Sequence, residues 1–247
     1  ALNSMDSPSG DGINSYIMSN FVASHNISVV MSGLGGDELF AGYGKFKIYN
    51  KLRSFNTLWE RIHWLKPLVY PFLNKSIHGP RLKELFDAKQ LNIESIYPIL
   101  RKLWSKDELK NLISAENCRD KNHNLIHILK SIPLNTPNLS QYTIAELYGY
   151  TLDVLLKDSD QMSMASSIEM RVPFFDHTLV EYVINIPDKY KFPHTPKKLL
   201  IEAMQDLLPH EVIDRPKKGF LLPWQNWMKK ELYHFCEEKL DALCRKD

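Results

Sequence analysis

The segment Ser32–Tyr43, with the sequence SGLGGDELFAGY, combines residue types that can bind a phosphorylated ligand. Its first glycines would let the backbone approach a ligand at a distance that side chains would prevent. Their amide groups can form a concave anion site, and the carboxylates of Asp37 and Glu38 can hold a metal ion that is bound to phosphate. The segment therefore indicates a nucleotide or phosphate site, although plain tight turns have similar sequences.

The elements around this segment are typical of the ligand crevice of a parallel α/β sheet. Apolar residues at helical spacing predict a helix over 12–25 with Asp11 as its N-cap, and a short buried strand is expected over Ser28–Met31. Ligands bind such sheets where a strand ends in a turn before a helix, which is the position of Ser32–Tyr43. The apolar face of the predicted helix comprises Ile13, Ile17, Phe21 and Val22.

The composition is that of an ordinary globular protein. The 247 residues are 44% hydrophobic and 24% charged, and the formal net charge of +2 provides no global attraction to nucleic acid or anionic membranes. No apolar run has the length of a membrane span, and the first residues lack the pattern of a signal peptide. Cysteines are few and odd in number, which favours a reducing compartment. We therefore expect a cytoplasmic protein with no nucleic-acid and no membrane partner.

Beyond the glycine segment the hydrophobic pattern is helical. Residues 45–138 contain proline-interrupted helical patterns without a convincing strand, which predicts a bundle of short helices. A long helix is expected over 139–157, with Ser140 as its N-cap. Further helices are expected over 177–185 with Asp176 as N-cap, over 196–207 and over 224–243.

These patterns predict an α/β fold that is mostly helical and has few parallel strands. Residues 1–44 would form the nucleotide-site segment and residues 45–138 a helical insertion. Residues 139–247 would form a helical segment that completes the site.

Charged residues in the last third of the chain allow two interpretations. Their spacing alone favours ion pairs at helix ends over a polar wall beside the glycine segment. Glu169 and Arg171 flank Met170, so in an extended strand they share a face and can pair. Lys217, in a Pro/Gly loop, is either solvated or directed at a phosphate leaving group. The clustered residues are Asp158, Asp160, Glu169, Arg171 and Asp176.

Two other patterns have more ordinary explanations. Cys118, His123 and His127 have partial metal-ligand spacing but no fourth ligand nearby. A basic and aromatic stretch over 45–66 has the composition of a nucleic-acid surface, and it also describes an amphipathic helix with a basic outer face, which we favour.

Three segments, in order, resemble the glutamine-hydrolysing asparagine synthetases of the B type. The segment PSGDGINSYIMSNFVASHNISVVMSGLGGDELFAGY is similar to the part of that family that carries its Ser-Gly-x-Gly-x-Asp-Glu motif. The segments LLKDSDQMSMASSIEMRVPFFD and KKLLIEAMQDLLPHEVIDRPKKGFLLPWQNWM are similar to its second and C-terminal signatures. The resemblance covers nearly the whole chain and is weakest across 45–138.

The resemblance implies an amidotransferase with a synthetase domain of the adenine-nucleotide α-hydrolase (PP-loop) fold. In that family ATP and Mg²⁺ adenylate aspartate to β-aspartyl-AMP, and ammonia then displaces AMP to give asparagine. An N-terminal glutaminase domain supplies the ammonia from glutamine. Adenylation places negative charge on phosphorus, so cations and amides must be held around it.

The resemblance also assigns roles to residues of this chain. Asp37 would face the Mg²⁺–pyrophosphate side, Tyr43 would support the pocket, and Lys217 would stabilise the charged intermediate or the leaving pyrophosphate. Glu169 and Arg171 would organise the adjacent wall. The nucleotide and acyl-adenylate site would be lined by Ser32, Gly33, Leu34, Gly35 and Gly36.

The sequence departs from the family pattern in two places. The PP-loop motif Ser-Gly-Gly-x-Asp-Ser and the glutaminase domain are absent from these residues. We therefore expect that the chain alone neither hydrolyses glutamine nor forms acyl-adenylate. Leu34 stands where the synthetases usually carry Glu or Asp and related β-lactam synthetases carry Tyr. Leucine performs no proton chemistry, so either another group such as Glu38, Glu169 or Lys217 takes that task, or the acceptor chemistry differs.

Three alternatives follow from these departures. The enzyme can amidate another carboxylate, such as one on a sugar or a secondary metabolite. The chain can also be a non-catalytic scaffold of the same fold, or a nucleic-acid-binding module that uses the basic stretch. The resemblance leaves a homodimer open.

Overall fold

The computed structural model describes most of the chain. The described residues are 1–7, 9–65, 68, 71, 79–105, 108–109, 123–192, 194–215, 219 and 222–245. The fold is mostly helical (67%) and contains a two-stranded parallel sheet. This agrees with the mostly helical α/β class expected from the sequence.

The sheet joins the two segments that carry the first two motifs. Strand β1 (Val29–Met31) pairs in parallel with β2 (Glu169–Arg171), and Val30 lies opposite Met170. The prediction that this strand is buried was wrong, because Val29 is 41% and Met31 is 77% exposed. The Ser32 amide extends the ladder by donating to the Arg171 carbonyl at 2.8 Å. Residues 140 positions apart in the chain, such as Met31 and Arg171, are therefore held side by side.

Helix α1 (Gly10–Ala23) precedes β1. The prediction of Asp11 as N-cap was wrong, because the Ser9 hydroxyl accepts the Asp11 amide at 3.2 Å. The predicted core face is also largely open, since Phe21 is 62% exposed and the buried positions of α1 are Gly12, Asn14 and Ser19.

The described residues from the glycine segment to residue 138 form short helices, as predicted for 45–138. They are α2 (Gly36–Leu39), α3 (Gly44–Ser54), α4 (Asn56–Ile62), α5 (Gly79–Asp87), α6 (Ile93–Arg101) and α7 (His123–Ser131). Single 3₁₀ turns lie at Leu2–Ser4, His63–Leu65 and Pro173–Phe175. No strand lies in the described part of 45–138.

The main core forms around Tyr142, which is fully buried on α8 (Asn138–Glu146). Its ring lies 4.7 Å from that of Phe46, 5.2 Å from Tyr49 and 5.5 Å from Tyr97, measured between centroids. Aromatic pairs at such distances add to the free energy of burial. Phe46, Tyr49 and also Trp59 thus belong to the core, which supports the amphipathic interpretation of the basic stretch.

The long helix predicted over 139–157 is interrupted. Helix α8 passes into a π-helical segment (Leu147–Leu156), and Gly149 leaves helical geometry with φ −102° and ψ −105°. The Tyr97 hydroxyl would lie 2.5 Å from a Cβ at Gly149, and it accepts the Tyr150 amide at 3.3 Å. Ser140 is not the N-cap either, because α8 begins at Asn138 and Ser140 donates to the Ile184 carbonyl.

Helix α9 (Lys157–Met164) leads to β2 and packs on α1. After β2, Asp176 caps α10 (His177–Asn185) as predicted, because its carboxylate accepts the amides of Thr178 and Leu179. Helices α11 (Asp188–Lys191), α12 (Lys198–Met204) and α13 (His210–Ile213) follow.

Two predicted C-terminal helices differ from the structure. The helix expected over 196–207 is α12, which starts at Lys198 because Lys197 has the left-handed φ of 58°. The helix expected over 224–243 is divided into α14 (Trp224–Lys229) and α15 (Tyr233–Cys244). Among the described helices, none has both the length and the apolar character needed to cross a bilayer.

Candidate functional site

The glycine loop, residues 32–36, uses most of its own amides internally. The amides of Leu34 and Gly36 donate to the Ser32 hydroxyl and the Gly33 carbonyl at 3.3 Å each. The Gly35 amide donates to the Glu38 carboxylate at 3.1 Å, and the Ser32 amide to β2. Four amides of the loop are therefore already engaged, and Gly33 is the exposed glycine with open space around it.

Gly35 and Gly36 face the second motif. Gly35 has φ +97°, and a Cβ there would meet the Cβ of Phe174 at 2.8 Å and the ring of Phe175 at 3.1 Å. A Cβ at Gly36 would lie 3.4 Å from the Phe174 ring. Glycine is required at 35 by both conformation and space, because L-residues rarely adopt this φ. The loop is thus shaped by packing between the motifs.

Glu38 holds the loop from inside. It is 1% exposed, accepts the Gly35 amide on Oε2 and accepts the Tyr43 hydroxyl on Oε1 at 2.6 Å. Burial and the neighbouring carboxylate raise the pKa of Tyr43, so its hydroxyl remains a donor. Since both oxygens of Glu38 are engaged, this carboxylate is not placed as the proton-handling substitute for Leu34.

Asp37 points to a third segment of the chain. Its carboxylate pairs with the Lys197 Nζ at 3.2 Å, and the Lys197 amide donates to the Phe40 carbonyl at 3.1 Å. Asp37 is partly accessible, with 24% of its side chain exposed. The structure therefore brings the first and third motifs together through Lys197, a residue for which no sequence pattern predicts a role.

Glu169 and Arg171 pair on the open face of the sheet, as their spacing predicts. The Arg171 Nε donates to the Glu169 Oε1 at 2.7 Å, and both side chains are more than half exposed. A small cavity of about 360 Å³ opens at the carboxyl ends of both strands, where ligands bind parallel sheets. Met31, Arg171 and Phe175 line it.

The other predicted site residues are dispersed or not described. Lys217 and Cys118 lie outside the described residues, as does the side chain of His123. Asp160 is exposed on α9, and Asp176 serves as a helix cap. Within the described part of the chain, no group of three or more His, Cys, Asp or Glu side chains can hold a metal ion.

A second cavity, of about 870 Å³, is lined by residues of α1, α3, α6, α9 and the π-helical segment. Arg101 lines it, and its guanidinium lies 4.1 Å from the centroid of the Tyr150 ring and 5.6 Å from that of Tyr43, the last residue of the glycine segment. Arg101 also pairs with the fully buried Glu146. Among the residues that line the cavity are Asp11, Lys45, Arg101, Gly149, Tyr150 and Asp158.

Sequence reasoning missed most of these lining residues. The sequence pattern places Lys45 in the basic stretch and Asp11 at a helix cap, and it does not mark Arg101. No local pattern marks them, because they come from four separate elements. Only Asp158 belongs to the charged cluster for which the sequence allows a functional interpretation.

Comparison with known proteins supports the family resemblance that the three motifs indicate. The family model described as asparagine synthase matches residues 2–247. Glutamine-hydrolyzing asparagine synthetase 1 of Bacillus subtilis (strain 168) is 30% identical over 234 residues, which are 91% of this chain and 36% of that protein. A putative glutamine-hydrolyzing asparagine synthetase of Mycobacterium bovis is 27% identical over 214 residues, which are 84% of this chain and 31% of that protein.

The rat glutamine-hydrolyzing asparagine synthetase is 31% identical over 138 residues, covering 53% of this chain and 24% of that protein. No solved structure matches the chain. The chain spans roughly a third of the length of the first two relatives. Because the family model covers nearly every residue, the chain belongs to the asparagine synthase family.

Proposed function

We propose that this chain forms part of the synthetase site of an ATP-dependent, glutamine-dependent amidotransferase of the PP-loop fold. The acceptor carboxylate attacks the α-phosphorus of ATP and pyrophosphate leaves, giving an acyl-adenylate. Ammonia derived from glutamine then attacks the acyl carbon, AMP leaves and a proton is released. Aspartate is the first acceptor to test, and the product would then be asparagine.

The observation that carries the proposal is the convergence of the three motifs. The glycine loop packs on Phe174 of the second motif, and Asp37 pairs with Lys197 at the start of the third. Family membership supports the reaction type. Ser32, Gly33 and Leu34 at the strand end are the part of the loop accessible to a nucleotide.

Asp37 fits a Mg²⁺ ion only if phosphate supplies further ligands. Mg²⁺ commonly uses one or two carboxylates together with substrate phosphates and water. Asp37 is a partly exposed carboxylate beside a lysine, and among the described residues it belongs to no group of three or more His, Cys, Asp or Glu side chains that could hold a metal ion. We therefore assign Asp37 to an ion shared with pyrophosphate oxygens, and Lys197 and Lys217 to the neutralisation of phosphate charge.

The chain by itself is proposed to be insufficient for adenylation. Four amides of the glycine loop donate within the protein, so they are not available to a triphosphate. Further anion-binding groups must then come from elsewhere, in line with the chain's coverage of 36% of its Bacillus relative.

ATP–pyrophosphate exchange tests the proposal. This chain would be measured alone and as a chimera in which it replaces the matched region of the Bacillus subtilis relative. We expect aspartate-dependent exchange by the chimera, no exchange by the chain alone, and a loss of roughly tenfold or more for Asp37→Asn in the chimera.

Lys189→Met, a change of an exposed residue far from the loop in sequence, provides the control and should retain exchange. ATP–pyrophosphate exchange by the isolated chain would contradict the proposal that the chain alone is insufficient for adenylation. A chimera that activates another carboxylate but not aspartate would favour the second candidate, amidation of a different acid, which the apolar Leu34 supports.

A further inference from the structure

Arg101 is the last residue of α6 and lies outside all three motifs, in the helical region 45–138. Its Nε donates to Oε1 of Glu146 at 2.8 Å, and one of its terminal nitrogens donates to Oε2. The Glu146 side chain is fully buried on α8, whereas that of Arg101 keeps 19% of its surface exposed. Because a two-point pair of this kind fixes the plane of a guanidinium group, α8 sets the orientation of Arg101.

The guanidinium of Arg101 lies over two tyrosine rings. The ring of Tyr43, the last residue of the glycine segment, has its centroid at 5.6 Å, and that of Tyr150 at 4.1 Å. Both distances are within the range of cation–π attraction. The Tyr150 hydroxyl in turn donates to the carboxylate of Asp11 on α1. Arg101 therefore joins the end of the glycine segment to three helical elements.

Tyr43 connects Arg101 to the glycine loop through Glu38. The Tyr43 hydroxyl donates to Oε1 of Glu38 at 2.6 Å, and Oε2 accepts the Gly35 amide at 3.1 Å. Glu38 is 1% exposed and makes no ion pair with any described residue. A buried carboxylate of this kind depends on its hydrogen bonds, so a shift of Tyr43 would also disturb the bond to Gly35.

Helix α8 holds the same segment at a second point. The hydroxyl of Thr143 donates to the main-chain carbonyl of Glu38 at 2.9 Å. Thr143 is 1% exposed and precedes Glu146 by three residues, which places both side chains on neighbouring positions of the helix. One helix thus supports the backbone at Glu38 directly and its carboxylate through Arg101 and Tyr43. Support from a packed helix holds a site more precisely than a loop does.

We propose that Arg101 is a positioning residue for the glycine loop. Through Tyr43 and Glu38 it holds the Gly35 amide in place and, with it, the exposed turn at Gly33. The part of the chain in which the family resemblance is weakest would thereby set the geometry of the first motif. The importance of Arg101 for adenylation rests on the proposed function, whereas its effect on the loop does not.

Amide hydrogen exchange, followed by NMR on the full 247-residue chain without ATP, tests the effect on the loop. In Arg101→Met the Gly35 amide should exchange faster by roughly tenfold or more. The Ser32 amide, which donates to the Arg171 carbonyl of the sheet, should keep its rate within about twofold. Faster exchange of both amides to the same extent would indicate a general loss of stability and would overturn the proposal.

Lys102→Met is the matched control, because Lys102 is the next residue and also pairs with a glutamate, Glu84, at 2.6 Å. It should leave both amide exchange rates unchanged. If Arg101→Met does not fold, Arg101→Met combined with Glu146→Met avoids an unpaired buried carboxylate and should still accelerate Gly35. An unchanged Gly35 rate in a folded variant that lacks Arg101 would contradict the positioning role.

Tyr43→Phe tests whether the effect passes through the tyrosine hydroxyl. This change alone should accelerate exchange of the Gly35 amide, and the further change Arg101→Met should then add little. Full additivity of the two changes would show that Arg101 acts by another route and would overturn the proposal.

The chimera with the Bacillus subtilis relative separates this proposal from the proposed function. There Arg101→Met should lower the maximal rate of ATP–pyrophosphate exchange by roughly tenfold and change KM for ATP by less than about threefold, because a displaced loop costs orientation more than binding. If the Gly35 amide responds as expected but the unmodified chimera shows no ATP–pyrophosphate exchange, the proposed function fails while the positioning role of Arg101 remains.

Discussion

At the scale of single residues, glycines of the loop have different physical roles. Gly33 is exposed with nothing within 4 Å of a Cβ position, whereas Gly35 has φ +97° and touches two phenylalanine side chains. A motif that looks uniform in sequence therefore contains one position open to ligand and one fixed by packing. Only the partner residues, which lie about 140 positions away, distinguish them.

Gly35→Ala should lower the free energy of unfolding by about 2–4 kcal/mol, since it combines a left-handed alanine with overlap against Phe174. Gly33→Ala in the same loop should change it by less than about 1 kcal/mol, because neither φ nor space opposes the added methyl group. Urea unfolding followed by circular dichroism measures both. Equal destabilisation by the two changes would contradict the packing role of Gly35.

At the scale of elements, helix α11 is attached to the start of α8 through a buried lysine. Lys191 is 1% exposed and its Nζ donates to the Ser140 hydroxyl at 2.6 Å. Asp188 at the other end of α11 accepts the Leu139 amide at 3.1 Å. Burial lowers the pKa of Lys191 to about 8, although Asp188 acts in the opposite direction.

This pKa predicts stability that rises with pH. The folded lysine releases its proton near pH 8, whereas an unfolded lysine does so near pH 10.4, so the unfolded state binds more protons between these values. The free energy of unfolding should therefore increase from about pH 8 to 10, with Lys45 contributing in the same direction. Above pH 10 buried tyrosines such as Tyr142, whose pKa is raised by burial, should reverse the trend.

Urea unfolding at intervals between pH 7.5 and 10 gives the slope of the free energy of unfolding against pH. Lys191→Met should flatten it, and Lys189→Met, which changes an exposed lysine in the same helix, should not. An unchanged slope in Lys191→Met would show that this lysine is not the titrating group.

At the scale of the whole molecule, the chain has two unequal parts. The helical part surrounds a core of aromatic side chains, and apolar side chains are exposed both in that part and beside the sheet. Ile17 and Phe21, one turn apart on α1, are 42% and 62% exposed, and Met31 at the end of β1 is 77% exposed. Exposed apolar surface of this kind promotes association.

We expect the chain to self-associate with increasing concentration and to bind a hydrophobic dye. Ile17→Ser combined with Phe21→Ser should reduce both effects, because it removes apolar surface from α1. Leu134→Ser, which changes a side chain that is 95% exposed in the helical part, should have little influence. Sedimentation velocity and dye fluorescence are the measurements, and a larger effect of Leu134→Ser would place the association surface elsewhere.

The sequence by itself determined the features that depend on local order. The motifs indicated the family, the apolar run predicted β1, Asp176 was identified as a helix cap, and alternation predicted the Glu169–Arg171 pair. Each follows from neighbours within a few residues, where backbone geometry and side-chain type are sufficient.

Only the tertiary structure decided how distant segments share space. It turned Gly35 toward Phe174, enclosed Glu38 beneath the loop, interrupted the long helix at Gly149 and buried Asp158 in the wall of the second cavity. Periodicity contains no information on these contacts, because the atoms that impose them belong to segments far away in the chain. The physical reason is that packing and desolvation depend on which surfaces meet in space.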